Sequence, residues 1–250
     1  MPTIDPGVRD TLISNAAKYE TAEFIQGDPS WFMHQVSGDA NQEAMAFVAS
    51  GLSYGSRQQF MKKIQLLLDA SGGQMAAWIA DGAFADILPE GGSKSFYRLY
   101  TEEHMNAFLT RYRAMLQEFG TMGQMVRGLG SKNAFDAIEA ICRYFGGSSP
   151  VIPKDASSAC KRVCMFLRWM VRNGSPVDLG LWADAIDRRT LIIPMDTHVL
   201  QQSARLGLIS GKCTSMAAAR KLTAALSEVF PDDPLKGDFA LFGYGVNGGE

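Results

Sequence analysis

Ile193-Pro194-Met195-Asp196-Thr197-His198-Val199, followed by Ala204-Arg205-Leu206-Gly207-Leu208, is the stretch on which the reading of the fold turns. An apolar approach meets a proline, then an aspartate, and then the start of an amphipathic helix. Asp196 stands where an N-cap belongs, with its carboxylate aimed at backbone N–H groups that have no intrahelical partner. A carboxylate there interacts favourably with the positive end of the helix dipole and points into whatever cleft the helix end faces. Plain capping and catalysis both follow from that placement.

Outward from this stretch the chain reads as mostly helix. Apolar residues at helical spacing predict helices over 40–52, 58–68, 72–81, 102–118, 131–144, 157–171, 179–186, 197–205 and 216–229. The strongest is 157–171, with Ser157 as a good cap and Asn173-Gly174 as a good stop. No alternation of period two persists, and repeats and low-complexity segments are absent. An all-α fold with short connections is expected.

Composition narrows the class. With 250 residues, 46% of them hydrophobic and 20% charged, the chain can bury a sizeable core as one large domain or two small lobes. No apolar run approaches the ~18 residues of a membrane span. The opening Met-Pro-Thr-Ile-Asp-Pro-Gly has neither a basic n-region nor an apolar h-region, so a cytoplasmic protein without a secretory signal is expected. Cys142, Cys160, Cys164 and Cys213 show no C-x-x-C spacing, which supports neither zinc nor a cysteine-held iron–sulfur cluster. No metal or other cofactor is expected. The net charge of −2 makes no global case for nucleic acid. Between Lys154 and Arg189, however, seven bases face four acids, and such a local basic face suits phosphate contacts as well as it suits an ordinary solvated surface.

Two features then stand close in the chain. Lys161-Arg162 lies in the first turns of the strongest helix, and Asp196 caps a helix 35 residues further on. That interval is one helix, a connection, a short helix and a return, so contact across a cleft is easy. A lysine facing an aspartate suits chemistry at a sugar anomeric carbon. The amine must be neutral to attack, and partial burial, an adjacent cation and a helix N-terminus are surroundings that favour this form. The carboxylate stabilises positive charge on the sugar as the leaving group departs. The adduct collapses to a Schiff base, which permits β-elimination. Lys161 reads equally as a surface lysine of an amphipathic helix, and His198 as a helix-surface histidine. Trp169, Arg172, Asp178 and Trp182 flank the lysine helix and the following turn. Aromatics can sandwich a flipped base while Asp and Arg read its polar edge, or both tryptophans can be core.

The Ile193–Val199 segment with Arg205-Leu206-Gly207 resembles the motif of the helix-hairpin-helix DNA glycosylase superfamily, in which an apolar-proline-apolar-Asp-Thr/Val-His stretch carries the essential aspartate. Bifunctional members place a Schiff-base lysine upstream, at the start of the second hairpin helix, and Lys161 fits that position. The spacing is nearer the archaeal 8-oxoguanine glycosylase type than that of endonuclease III-like members. Phe47–Arg57 resembles the first barrel helix and the turn that wedges into DNA, where Gly55 would let backbone approach the duplex and Arg57 would reach a phosphate. The tail Asp238-Phe239-Ala240-Leu241-Phe242-Gly243-Tyr244-Gly245 resembles the closing helix. The whole chain is also similar to an uncharacterised bacterial family of about this length, through Lys161-Arg162, Leu167–Arg172, Val177–Trp182 and the tail.

The usual hairpin is G-x-G followed by the lysine, whereas here Ser157-Ser158-Ala159-Cys160 precedes Lys161. Gly128-Leu129-Gly130-Ser131-Lys132 offers a second hairpin-like turn, but Lys132 lies 64 residues from Asp196 and out of the superfamily's order of elements. The resemblance implies a two-lobed, all-α glycosylase-like fold without an iron–sulfur cluster. One lobe would span 44–175, the other 1–43 with 176–250, and the cleft would lie between them. It implies a monomeric glycosylase with AP-lyase activity on damaged double-stranded DNA, with an oxidised purine such as 8-oxoguanine as target. Lys161 and Asp196 would be catalytic, Trp169, Arg172, Asp178 and Trp182 would hold the base, and Gly55, Arg57, Ser157 and Arg162 would contact DNA. The alternatives are a non-catalytic nucleic-acid-binding protein that kept the fold, and an enzyme acting on a nucleoside or RNA.

Overall fold

The computed structural model describes residues 4–210 and 214–246, of which 243–246 are described by backbone alone. Met1-Pro2-Thr3 and Cys213, which entered the reading of the leader and the cysteines, lie outside the described residues, as do the side chains of Gly243, Tyr244 and Gly245 in the tail motif. The described residues are mostly α-helical: α1 (Pro6–Tyr19), α2 (Asp39–Leu52), α3 (Arg57–Ser71), α4 (Met75–Asp81), α5 (Glu102–Phe119), α6 (Met122–Gly128), α7 (Ala134–Phe145), α8 (Lys161–Val171), α9 (Thr197–Arg205), α10 (Met216–Val229) and α11 (Lys236–Val246). Short 3-10 turns and a small antiparallel hairpin, β1 (Ser95–Tyr97) with β2 (Tyr100–Thr101), complete the set. No helix among the described residues is long and apolar enough to cross a membrane.

Chain contacts gather into two compact units. The first comprises Met1–Gln26, Asn133–Phe135 and Ala156–Glu250, and the second Gly27–Lys132 with Asp136–Asp155. These boundaries differ from the expected division at 43/44 and 175/176. The physical reason is α8, whose buried arginines bond carboxylates from Glu20, Asp178, Asp233 and Asp238, so the helix belongs with the C-terminal residues.

In the first unit α11 packs against both α1 and α9. Helix α8 is buried from Val163 to Val171 on all sides. Its sequence Val-Cys-Met-Phe-Leu-Arg-Trp-Met-Val carries a single charge, and a helix that is apolar all round must be enclosed. The approach Leu191–Met195 is buried and lies outside any helix or strand, with Ile193 N–H donating to Thr223 Oγ1 of α10 at 3.0 Å. In the second unit, Phe47 of α2 gathers Phe108, Tyr112 and Phe145, with ring centroids 4.9–5.5 Å away. Glu43 is buried and accepts the Met122 and Gly123 N–H groups at 2.7 and 3.0 Å, which seats the start of α6.

Three expectations are corrected. The segment 179–186 is a succession of turns rather than a helix, because Leu179, Gly180 and Trp182 spend their N–H groups on the last carbonyls of α8. Ser157 does not cap α8. That helix starts four residues later, after Cys160, which sits in the left-handed region at φ 45°, ψ 38°. The hairpin β1–β2 also adds a little strand where none was expected.

Gly146 ends α7 where the chain folds back on itself. A Cβ there would stand 2.3 Å from the Cys142 carbonyl oxygen and 2.7 Å from the Lys154 backbone. Backbone cannot yield as a flexible side chain does. Gly146→Ala is therefore expected to destabilise the protein by about 2–3 kcal/mol, the upper range for overpacking. Thermal melting should show a loss of roughly 5–10 °C.

Candidate functional site

Asp196 is the N-cap of α9, at φ −113° and ψ −174°. The buried apolar approach anchors the chain up to Met195 and leaves the Asp196 side chain 14% exposed. Its two oxygens divide the work. Oδ1 accepts the Val199 N–H at 2.8 Å, and Oδ2 stands 3.7 Å from Lys161 Nζ. Lys161 is the first residue of α8, and its side chain is 34% exposed. Both groups are thus in contact with one another and reached by solvent.

The geometry before Lys161 answers the missing glycine. Cys160 is one of two non-glycine residues among the described ones with a positive φ. A left-handed residue other than Gly, Asn or Asp costs about 1–2 kcal/mol and survives only where its surroundings hold it. Cys160 is held by burial and by its N–H donating to Ser158 Oγ at 3.4 Å. It gives α8 no side-chain cap bond. The turn into α8 is therefore made by a left-handed cysteine. Cys164, one turn on, is buried, and its Sγ donates to the Ala159 carbonyl at 3.4 Å. Burial, with Cys160 and Asp238 nearby, pushes its thiol well above the ordinary range, so it is not a thiolate nucleophile. No cluster of three or more potential ligands among the described residues is arranged to hold a metal ion.

Below Lys161, the same face of α8 and its C-cap carries Arg168 and Arg172. Arg168 bonds Asp178 at 3.2 Å and Asp238 of α11. Arg172 bonds Asp178, Asp233 (2.7 and 2.9 Å) and Glu20 (2.6 Å). Both guanidiniums also lie over the Phe239 ring, at 4.6 and 5.2 Å. Two cations meet four carboxylates. Burial raises the Asp178 and Asp238 carboxyls against the lowering pull of the arginines, Asp238 to about 6, with the charges of Asp196 and Asp178 adding to that rise. Burial disfavours the Arg172 cation, but Asp233 and its neighbours outweigh this and hold it firmly protonated.

The remaining expected site residues divide. Trp169, Trp182, Arg172 and Asp178 are buried, at 0%, 3%, 1% and 6% exposure. Trp182 stacks edge-on against Phe166 at 5.3 Å. The Trp169 indole N–H has no hydrogen-bond partner among the described residues. These four form core and ion network, which corrects their reading as a base-holding surface. Ser157 is exposed in the loop before Cys160, and Arg162 is half-buried beside Lys161. In the second unit Gly55 is exposed at φ +77°, and Arg57 is half-buried at the start of α3. Their turn lies against the hairpin, with Tyr97 Oη donating to the Tyr54 carbonyl at 2.5 Å. Gly128-Leu129-Gly130 closes the end of α6, and the Lys132 N–H donates to Asp136 at 2.9 Å. His198 is exposed, edge-on to Phe242 at 6.1 Å.

Residues 28–247 match the model of a family described as a protein of unknown function, DUF2400. The chain belongs to the DUF2400 family. The match includes Lys161, Asp196 and every member of the ion network except Glu20. No curated protein and no solved structure matches the chain. The residue of this DUF2400 protein that sequence reasoning missed is Asp238. It stands in the quoted tail, and an acid at the start of an otherwise apolar helix reads as a simple dipole partner until its arginine is seen.

Arg172→Leu removes one partner from a buried network and leaves Asp178, Asp233 and Glu20 short of a cation. A loss of about 3–5 kcal/mol is expected in denaturant unfolding. Asp238 acts in the opposite sense. Its folded value near 6 lies above the ordinary 3.8, so the stability it contributes is complete below the ordinary range and is lost as pH rises through 6. On the order of 3 kcal/mol disappears between pH 4 and 7 from this group. Asp238→Asn should flatten that part of the stability–pH curve.

Proposed function

We propose that this DUF2400 protein is a base-excision DNA glycosylase with AP-lyase activity, built on a helix-hairpin-helix glycosylase-like fold. The observation that carries the reading is the Lys161 amine 3.7 Å from the Asp196 carboxylate with both reached by solvent. Asp196 stabilises the cationic sugar as the glycosidic bond breaks. The Lys161 ammonium gives a proton to the base, which leaves with the electron pair of its bond to C1′, and the amine so freed forms a bond to C1′. Ring opening yields a Schiff base between Nζ and C1′. Loss of a C2′ proton then expels the 3′ phosphate by β-elimination and cuts the strand.

Two further features support this reading over a phosphate-holding lysine. The carboxylates below Lys161 outnumber the guanidiniums four to two, an environment that suits a developing cation better than an anion. The start of α8 lacks a side-chain cap, which suits a backbone contact to a DNA phosphate. An oxidised purine such as 8-oxoguanine is the proposed base, on the resemblance in lysine-to-aspartate spacing. The base would stack elsewhere than on Trp169 and Trp182, which are enclosed.

Borohydride trapping on duplexes carrying 8-oxoguanine, other lesions or an abasic site tests the proposal. A covalent adduct is expected, and it should vanish in Lys161→Gln. Asp196→Asn should slow base release roughly 10²–10³-fold. It should change stability by less than about 1 kcal/mol, because Asn caps a helix as well as Asp does and an ion pair at 3.7 Å whose lysine stays solvated contributes little. No adduct with any duplex overturns the reading. Salt-dependent DNA binding without base release, unchanged by Asp196→Asn, would put a non-catalytic nucleic-acid-binding protein in its place.

A further inference from the structure

We propose that the tip of the β1–β2 hairpin, Arg98-Leu99, is a contact to duplex DNA in which Leu99 enters between base steps and the cations around it hold the flanking phosphates. The inference rests on the proposed function for the choice of duplex DNA as partner, and it adds the surface that distorts the duplex. Leu99 is 78% exposed, the most exposed large hydrophobic residue among the described ones. A lone exposed leucine is ordinary on a protein surface. This one stands on a rigid mount. The strand register pairs Tyr97 with Tyr100 and leaves Arg98-Leu99 as a two-residue loop. Tyr54, from the turn between α2 and α3, packs against both tyrosine rings with centroids 5.1 Å away. Its hydroxyl accepts the Leu99 N–H at 3.3 Å, and its carbonyl accepts the Tyr97 hydroxyl. A two-residue loop favours Gly, Asn or Asp where φ is positive, yet Arg98 stands there at φ 50°. Strain kept at a tip beside an unburied leucine marks a place of use, because neither residue serves the core.

Charge names the partner. Residues 54–68 and 94–101 carry Arg57, Lys62, Lys63, Lys94 and Arg98 and no acid, in a chain whose net charge is −2. The two segments pack together: Lys63 Nζ lies 4.9 Å from the centre of the Phe96 ring, and the Arg98 guanidinium 5.8 Å from that of Tyr54. Gly55 gives Arg98 its seat. A Cβ there would stand 2.8 Å from Arg98 Nη1 and 3.0 Å from Tyr97 Oη, so the guanidinium lies across the turn. Lys94 and Arg98 are exposed on either side of the hairpin's apolar residues. A protein partner calls for a broad apolar patch. One projecting leucine among five cations fits instead a polyanion with stacked bases inside it. The cations replace the counterions of the phosphates, and the leucine fills the gap between the steps that it unstacks.

The test uses the full-length protein and a duplex that contains a tetrahydrofuran abasic site with 2-aminopurine opposite it. That site has no aldehyde and forms no Schiff base, so binding is read without reaction. The unsubstituted protein should bind the duplex and raise the 2-aminopurine fluorescence as the base unstacks. Leu99→Ala should abolish the rise and leave the salt dependence of binding unchanged, and Leu99→Met should restore the rise. Arg98→Gly keeps the turn and removes the cation, and Lys94→Ala removes the second. Each should lower the slope of log affinity against log salt by about 0.9, one phosphate contact. All of these side chains are exposed, so the variants should fold. An unchanged fluorescence rise in Leu99→Ala, unchanged salt slopes in both cation variants, or no binding to the duplex overturns the proposal. Leu99-dependent binding to phosphatidylserine vesicles, or Leu99-dependent self-association, in place of duplex binding overturns it as well. Leu99-dependent unstacking without any borohydride adduct sustains the proposal and counts against the glycosylase reading alone. An adduct formed with an unchanged fluorescence rise in Leu99→Ala does the reverse.

Discussion

Two guanidiniums taken out of water must be met by carboxylates brought from elsewhere in the chain. Arg168 within α8 and Arg172 at its C-cap make that demand, and Glu20, Asp178, Asp233 and Asp238 answer it. These acids come from the end of α1, the turns after α8, the loop before α11 and α11 itself. Each pair ties a separate piece of chain to one helix face. An apolar core of the same volume could stabilise the unit as well, because buried ion pairs seldom exceed their desolvation penalty. What the network adds is direction. Charges must meet specific partners, whereas apolar surfaces accept many neighbours, so α8 is held in one rotation about its axis. That rotation carries Lys161 toward Asp196.

The candidate site is the solvent-reached end of this ladder. Asp196 serves two purposes without conflict because a carboxylate has two oxygens. The Val199 N–H holds one and thereby aims the other at Lys161. The approach Leu191–Met195 supplies the rigidity, since buried backbone bonded through Ile193 to Thr223 cannot shift without breaking packing. On the other side Cys160 turns the chain into α8 in a left-handed conformation. Strain of this kind persists where structure over-determines it, and it adjoins the lysine rather than lying at random.

Much of this was legible from local pattern. The helices near 40–52, 102–118, 197–205 and 216–229 appear close to where apolar periodicity predicts them, and Asp196 caps as its surroundings imply. The failures share a cause. The segment 179–186 has helical spacing, yet its N–H groups bond the end of α8, which no window of neighbouring residues contains. Ser157 has cap chemistry, but the helix begins after a turn dictated by packing around Cys160. Trp169, Arg172, Asp178 and Trp182 have residue types suited to a base pocket. Burial, which depends on distant chain, turned them to core and ion pairing. The same blindness hid Asp238, whose partner is 70 residues away.

By itself the sequence determined the helical class, the cap at Asp196 and the candidacy of Lys161 as its partner, because periodicity and capping act within a few residues. Only the tertiary structure decided that the two side chains meet. It also decided that Cys160 turns the chain into α8 in a left-handed conformation, and that the arginines behind Lys161 face inward. Those outcomes depend on which distant groups share a low-dielectric interior, where an unpaired charge is costly and a paired one fixes the geometry around it.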